Sequence, residues 1–280
     1  MTGIAATHMQ RSHGKGTLAV KRAAGRTRID RLHQSGNAKI RVPGTHTDAL
    51  EAVLINTSGG VTGGDTLSWT IESGPGTNAI ISTQACERIY RSAGDTGRQN
   101  TAIRVESGAT LFWLPQETIL FDGGRFVRAL EVDLADDARF VGLETLILGR
   151  EAMGETVASG LYRDRWRIRR AGALVHAEDF RIDPEGEPCV TAAAVLGGNR
   201  VAATLVVATG DDAERLDLAV AKARDLLDGT AAGISRIGEG AGGRIVVRAA
   251  APTSHALRKR LLPLLSLFLD GRPLPRTWSL

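Results

Sequence analysis

Asp65, Glu87, Glu117, Asp122, Glu144 and Glu151 are acids that stand beside aromatic or turn residues. Each alone reads as a paired or solvated carboxylate. As a set they read as the lining of a polar passage. Carboxylates and waters can hand on a divalent ion, whereas a His/Cys cage would trap it. The sequence offers no such cage. His8, His13, His33, His46, His176 and His255 include no i, i+4 pair of the kind that binds metal on a helix. His8 and His13 flank Gln10-Arg11 in a polar terminus that reads as disordered rather than metal-binding. His176, in a strand-like run, reads as a satisfied histidine rather than a ligand. Cys86 and Cys189 are far apart and neither belongs to a CxxC pair, which argues against a disulfide framework and fits a reducing, cytoplasmic home.

One of these acids closes a run with two glycine pairs, Asn56-Thr57-Ser58-Gly59-Gly60-Val61-Thr62-Gly63-Gly64-Asp65. Glycine pairs serve where the backbone takes positive φ or approaches another group closely. An Asp after them can close the turn by accepting a backbone N–H. A phosphate cradle would need a following helix and a Gly-Lys-Ser/Thr run, and neither is present. Two readings remain: a structural turn, and a turn that also sets Asp65 in a polar passage. Ser58 and Thr62 lack an obvious base partner, and no HExxH, GxSxG, Walker or Rossmann signature stands in its required context. An alternative from a different class is a β-rich hydrolase or ligand-binding protein using Asp65 and Glu117 as a carboxylate pair. Such a pair would stand about 5–5.5 Å apart in a retaining glycosidase or about 6.5–9.5 Å in an inverting one.

The elements that must position these residues are mostly strands. Short β-type runs punctuated by Gly, Asn, Pro and Asp recur from Leu18 onwards. Phe126-Val127-Arg128-Ala129-Leu130-Glu131-Val132-Asp133-Leu134 alternates with period two, as a half-buried strand does. The run around Trp166 and Ile168 alternates too, with arginines on the opposite face. Strands about 8–15 residues apart with few helices between them predict a mainly antiparallel, layered β architecture. Helices are predicted over 211–227, with Leu216, Val220, Ala223 and Leu227 on one face, and over 254–269. With the strands around them they predict a small α+β C-terminal part. No repeat of fixed period is evident. The whole chain, 1–280, reads as a single domain with a flexible segment over residues 1–16.

Composition sets the outer limits. The 280 residues are 42% apolar, enough for a sizeable core, and carry a net charge of +4. The arginines come in short bursts too diffuse for a nucleic-acid interface, and binding to an acidic protein surface fits at least as well. No run approaches the ~20 apolar residues of a membrane helix, and no signal-peptide core is present, so a soluble protein is expected.

Four stretches in order carry a resemblance. They are the glycine run 56–65; Glu87-Arg88-Ile89-Tyr90-Arg91-Ser92; Trp113-Leu114-Pro115-Gln116-Glu117-Thr118-Ile119-Leu120-Phe121; and Gly149-Arg150-Glu151-Ala152-Met153-Gly154-Glu155. Together they resemble the urease accessory protein UreD family, also called UreH. Trp166 and Pro275-Arg276-Thr277-Trp278 are similar to it too, while residues 1–16 and 185–245 carry little of the resemblance. The resemblance implies a mainly β fold of stacked sheets with β-helix-like character and a few helices. It implies a non-enzymatic maturation factor for nickel urease that binds the urease apoprotein and UreF, with the GTPase UreG reached through UreF. It also implies nickel in transit through a tunnel, with no tightly bound cofactor, and roles in that route for Asp65, Glu87, Glu117 and Glu151. Gly59, Gly60, Gly63, Gly64, Tyr90 and Arg91 are expected as structural motif positions.

Overall fold

The computed structural model describes residues 10–44, 47–184, 192–193, 195–238 and 242–278. His8, His46, Cys189 and the first nine residues of the expected flexible segment lie outside these ranges. In chain order the strands are β1 (His13–Ala23), β2 (Arg26–Ser35), β3 (Ala38–Arg41), β4 (Leu50–Asn56), β5 (Thr66–Ser73) and β6 (Asn78–Thr83). They continue with β7 (Glu87–Ile89), β8 (Gly97–Val105), β9 (Thr110–Leu114), β10 (Thr118–Leu120), β11 (Arg125–Leu134), β12 (Arg139–Leu148), β13 (Leu161–Arg170) and β14 (Ala173–Ile182). The last part is β15 (Val201–Ala208), α1 (Ala213–Leu227), β16 (Ala231–Ile237), β17 (Arg244–Ala251) and α2 (Ser254–Phe268). Strand structure begins at His13, where β1 pairs with both β2 and β5, so the terminal segment is ordered earlier than residue 16.

The strands form two stacked sheets. The first runs β14-β13-β11-β8-β5-β1-β2, and the second β16-β17-β15-β12-β9-β6-β4-β3, with β10 joining β12 to β7. From β4 to β13 the chain passes back and forth between the sheets, and each long strand lies parallel to its counterpart in the next coil. This is the mainly β, solenoid-like stack. It corrects the expectation of mainly antiparallel pairing, because period-two alternation reports a half-buried strand and is silent on the direction of its neighbour. A short connection that crosses between sheets replaces the long crossover that parallel neighbours in one sheet would need. Antiparallel pairs close the ends, at β1–β2, β3–β4 and β13–β14 and from β12 through β15 and β17 to β16. The coils are unequal in length. Asn78 lies beside Thr110 and Thr110 beside Arg139, so a search for a fixed period finds none.

Two cores result. Between the sheets pack inward residues such as Leu67, Trp69, Phe126, Leu130, Phe140 and Trp166. On the outer face of the second sheet, Val141, Leu143 and Ile147 of β12 meet α1 and α2. The helices lie where the periodicity predicts them. Asp212 caps α1 by accepting the Arg215 N–H at 2.9 Å, and Leu216, Val220, Ala223 and Leu227 are its buried stripe. Thr253 caps α2 through the Ala256 N–H at 3.1 Å. The α+β C-terminal part extends the second sheet through β15, β17 and β16 rather than standing apart from it. The 3-10 turn Arg276–Trp278 tucks under this sheet, where the buried Trp278 Nε1 donates to the Leu114 carbonyl at 2.9 Å.

Candidate functional site

The glycine loop joins β4 to β5 across the edge of the stack. Gly59 and Gly64 take φ of +76° and +86°. Gly60 and Gly63 are tight approaches. A methyl on Gly60 would stand 2.7 Å from the Arg88 carbonyl oxygen, and one on Gly63 would stand 2.9 Å from the Asp95 carbonyl carbon. The loop is followed by a strand, so it is no phosphate cradle. Asp65 faces inward. Its Oδ1 accepts the Ser12 N–H at 2.8 Å and its Oδ2 the Thr62 N–H at 2.9 Å, which closes the turn and ties down the start of β1.

Asn56, at the end of β4, links this loop to Glu87. Its Nδ2 donates to Glu87 Oε1 and Oε2 at 3.1 and 3.2 Å and to the Gly60 carbonyl at 3.1 Å. Burial pushes the Glu87 carboxyl up to about 7, against the pull of the Asn56 hydrogen bond. Glu117 is held by Arg258 of α2, Oε1 to Nη1 at 3.2 Å, and its Oε2 accepts the Cys86 thiol at 3.4 Å. Burial, with the Glu117 charge behind it, pushes that thiol up to about 12.

The most concentrated charge lies deeper. Arg128 of β11 points between the sheets and is only 4% exposed. Its Nη1 meets Glu144 Oε2 of β12 at 2.5 Å, and its Nη2 meets Asp164 Oδ2 of β13 at 2.5 Å and the Tyr162 hydroxyl at 2.6 Å. Trp113 Nε1 donates to the other Glu144 oxygen at 2.9 Å. Burial drives the Glu144 carboxyl up to about 7, opposed by Arg128 and reinforced by Asp164. A buried pair of this kind has a desolvation penalty that its Coulomb attraction only partly offsets, so it is weak evidence for a stabilising role.

Arg128 and Glu144 are shared by two cavities. One, of about 230 Å³, is lined by Asn56, Cys86, Glu87, Trp113 and Gln116 together with that pair. The other, of about 370 Å³, adds Tyr162, Asp164 and Glu178. Asp164 Oδ1 and Glu178 Oε2 have no hydrogen-bond donor among the described residues. Glu178 is paired on its other oxygen with Arg248 of β17 at 2.5 Å. The two cavities with one ion-paired layer between them form a polar line through the stack.

Of the acids singled out from sequence, Glu87 and Glu144 lie on this line, and Glu117 adjoins it through Cys86. Asp65 does not, being spent on the turn. Glu151 is exposed in the 3-10 turn Glu151–Met153, where its Oε2 accepts the Ser254 N–H of α2 at 3.4 Å. Asp65 and Glu117 are engaged separately, Asp65 by the Ser12 and Thr62 amides and Glu117 by Arg258 and the Cys86 thiol. Among the described residues no group of three His, Cys, Asp or Glu side chains is set to hold a metal ion. His176 Nδ1 accepts from Arg244 at 3.4 Å, but its Nε2 has no hydrogen-bond partner among the described residues, so it is only half satisfied.

The sequence profile of the UreD urease accessory protein matches residues 12–279. The chain belongs to the UreD urease accessory protein family. It is 48% identical over 282 residues to the urease accessory protein UreD of Rhizobium etli, covering 100% of each chain. It is 49% identical to that of Chelativorans sp. over 97% of this chain and 95% of the relative. With that of Agrobacterium fabrum it shares 43% identity over 97% of this chain and 92% of the relative. The match therefore also spans 185–245, where the motifs alone show little likeness.

The UreD motifs, distant in sequence, meet along one edge of the stack, where successive coils turn between the sheets. The Tyr90 hydroxyl donates to the Gly59 carbonyl at 3.2 Å, and its ring meets Phe121 edge-on at 5.2 Å. The Arg150 guanidinium stacks over Phe121 at 4.8 Å, and Arg91 pairs with Asp122. Arg128, Tyr162, Asp164 and Glu178 lie outside the candidates drawn from sequence. A signal for them was present in the alternation. Arg128 occupies the inward phase of Phe126, Leu130 and Val132, and Asp164 that of Tyr162, Trp166 and Ile168. A charge in the apolar phase of a strand is a buried charge.

Proposed function

We propose that this UreD family member matures the nickel centre of urease as a non-enzymatic scaffold and conduit. In this reading it works in the cytoplasm, binds the urease apoprotein and UreF, and receives nickel from the GTPase UreG docked through UreF. Nickel is cargo in transit rather than a resident cofactor. The observation that carries the reading is the pair of cavities that meet at Arg128 and Glu144. Their lining sets Glu87, Glu144, Asp164 and Glu178 in series, and carboxylate oxygens are weak enough ligands for nickel to exchange along them. Passage between the cavities requires the Arg128–Glu144 pair to part, and Asp164 holds the guanidinium while it does. Asp65, Glu117 and Glu151 support the walls: Asp65 through the turn, Glu117 through Arg258, and Glu151 at the start of α2. No helix among the described residues is long and apolar enough to cross a membrane.

The test is co-expression of urease with its accessory proteins, with and without this chain, reading urease activity and nickel per active site. Loss of both without the chain, and restoration with it, is the expected result. Full activation in its absence overturns the reading.

A further inference from the structure

The outer face of the first sheet is rich in arginine. The helices pack on β15, β16 and β17 of the second sheet, and among the described residues no helix packs on the first. Its outward positions follow from the strand registers. Arg98 lies beside Val127 and Val127 beside Arg163; Arg104 lies beside Asp133 and Asp133 beside Arg169. Arg165 lies between Ala129 and Asp179. Arg98, Arg104 and Arg165 are exposed, and none forms a side-chain ion pair among the described residues. Between the charged rows Thr17, Thr70 and Ala102 form a short strip of small side chains, none of them buried, which ends at Glu131 beside Ala102.

We infer that this face is a docking surface for the acidic face of a globular protein partner. The inference rests on the scaffold reading above and adds a location and a chemistry to it. Three features select a protein. Cations outnumber acids on the face, so the surface attracts negative charge. Glu131 and Asp133 stand exposed among the arginines, and they would repel a phosphate backbone yet can pair with the lysines or arginines that an acidic protein face also carries. A strip of small, weakly polar residues inside a charged rim is the layout of a protein interface. The size agrees. Seven strands about 4.8 Å apart and eight residues long at about 3.3 Å per residue span on the order of 750 Å², close to the ~800 Å² per partner of a standard interface.

Charge reversal tests it. The triple variant Arg98→Glu, Arg104→Glu, Arg165→Glu alters three exposed side chains. It is compared with wild type for binding to purified urease apoprotein and to purified UreF across a salt titration, and to a duplex DNA. The expected result is at least tenfold weaker binding to one of the two proteins, a flattened salt dependence for that protein only, and an unchanged melting temperature. Ala102→Glu adds one carboxylate to the central strip and should weaken the same complex. It keeps the test decisive if the triple variant folds poorly. Unchanged affinity for both proteins in the triple variant and in Ala102→Glu overturns the docking surface while leaving the scaffold reading intact. Duplex DNA binding by wild type that the triple variant loses, with protein binding unchanged, overturns it in favour of nucleic acid. Wild-type protein that binds neither partner sinks the scaffold reading and the surface with it.

Discussion

Arg128 Nη1 and Glu144 Oε2 meet at 2.5 Å across the space between the two sheets, and this pair is the wall that the two cavities share. Removing one member leaves the others charged and buried. Arg128→Met should therefore lower stability by about 3–5 kcal/mol, read by urea unfolding. The triple change Arg128→Met, Glu144→Gln, Asp164→Asn removes the stranded charges as well and should recover most of that loss. An Arg128→Met protein as stable as wild type would mean that water, not the ion network, satisfies this region.

Glu87 supplies a pH signature. Its carboxyl is raised from an ordinary 4.5 to about 7, so the folded state holds its proton where the unfolded chain has released it. A raised value contributes stability that is complete below the unfolded pKa and is lost as pH rises through the folded one, here between about 4.5 and 7. Glu87→Gln has no such proton to lose. Its melting temperature relative to wild type should rise on going from about pH 5 to about pH 7.5. A difference that stays flat with pH would place the Glu87 carboxyl in its ordinary range.

Much of this architecture was legible because strand phase and helix stripe are local properties. Leu216, Val220, Ala223 and Leu227 form the buried face of α1 as their spacing predicts, and Phe126, Leu130 and Val132 point inward together. Strand direction was not legible, since the partner of β5 is β8, set by a coil of irregular length. The interior charges were half legible. Arg128 stands in the apolar phase, but which acid meets it depends on how β11 and β12 stack from opposite sheets, and no local pattern encodes that. Motif membership pointed to Asp65 and Glu151, yet a residue can mark a family by closing a turn. Asp65 does so with both of its oxygens.

That distinction is testable at two positions. Asp65→Ala leaves the Ser12 and Thr62 amides without their acceptor in a buried turn, and should cost about 1–3 kcal/mol. Glu151→Ala changes an exposed side chain with one long hydrogen bond and should stay within about 0.5 kcal/mol of wild type. Thermal or urea unfolding of the two variants side by side reads the contrast. Equal effects would remove the structural assignment of Asp65.

Gly60 should not tolerate a side chain. A side chain there runs into the Tyr90 ring and the Arg88 carbonyl, which belong to strand β7 and the residue following it. Gly60→Val should cost about 1–3 kcal/mol through overpacking and should also shift Tyr90 away from Phe121. Near-ultraviolet circular dichroism, sensitive to the tyrosine environment, and the melting temperature measure both effects. A variant with wild-type values for the two would mean that the loop yields freely.

The last prediction concerns the polar line itself. Glu87 lines the cavity on one side of the Arg128–Glu144 pair, and Glu178 the cavity on the other. Replacing either by Gln keeps the shape and a carbonyl oxygen but removes a negative charge, so a passing divalent cation loses one weak ligand of several. Each single variant should therefore reduce nickel delivery only in part. Glu87→Gln with Glu178→Gln removes one carboxylate from each cavity and leaves only acids held by Arg128, and nickel delivery should fall nearly to the level seen without the chain. Neither residue is on the outer face of the first sheet, so complexes with urease and UreF should form as before. The measurement is nickel per active site in urease matured with each variant, alongside co-purification of the complex. Normal nickel content with the double variant would remove these carboxylates from the route. Loss of the complex would show that they hold the fold together rather than carry the ion.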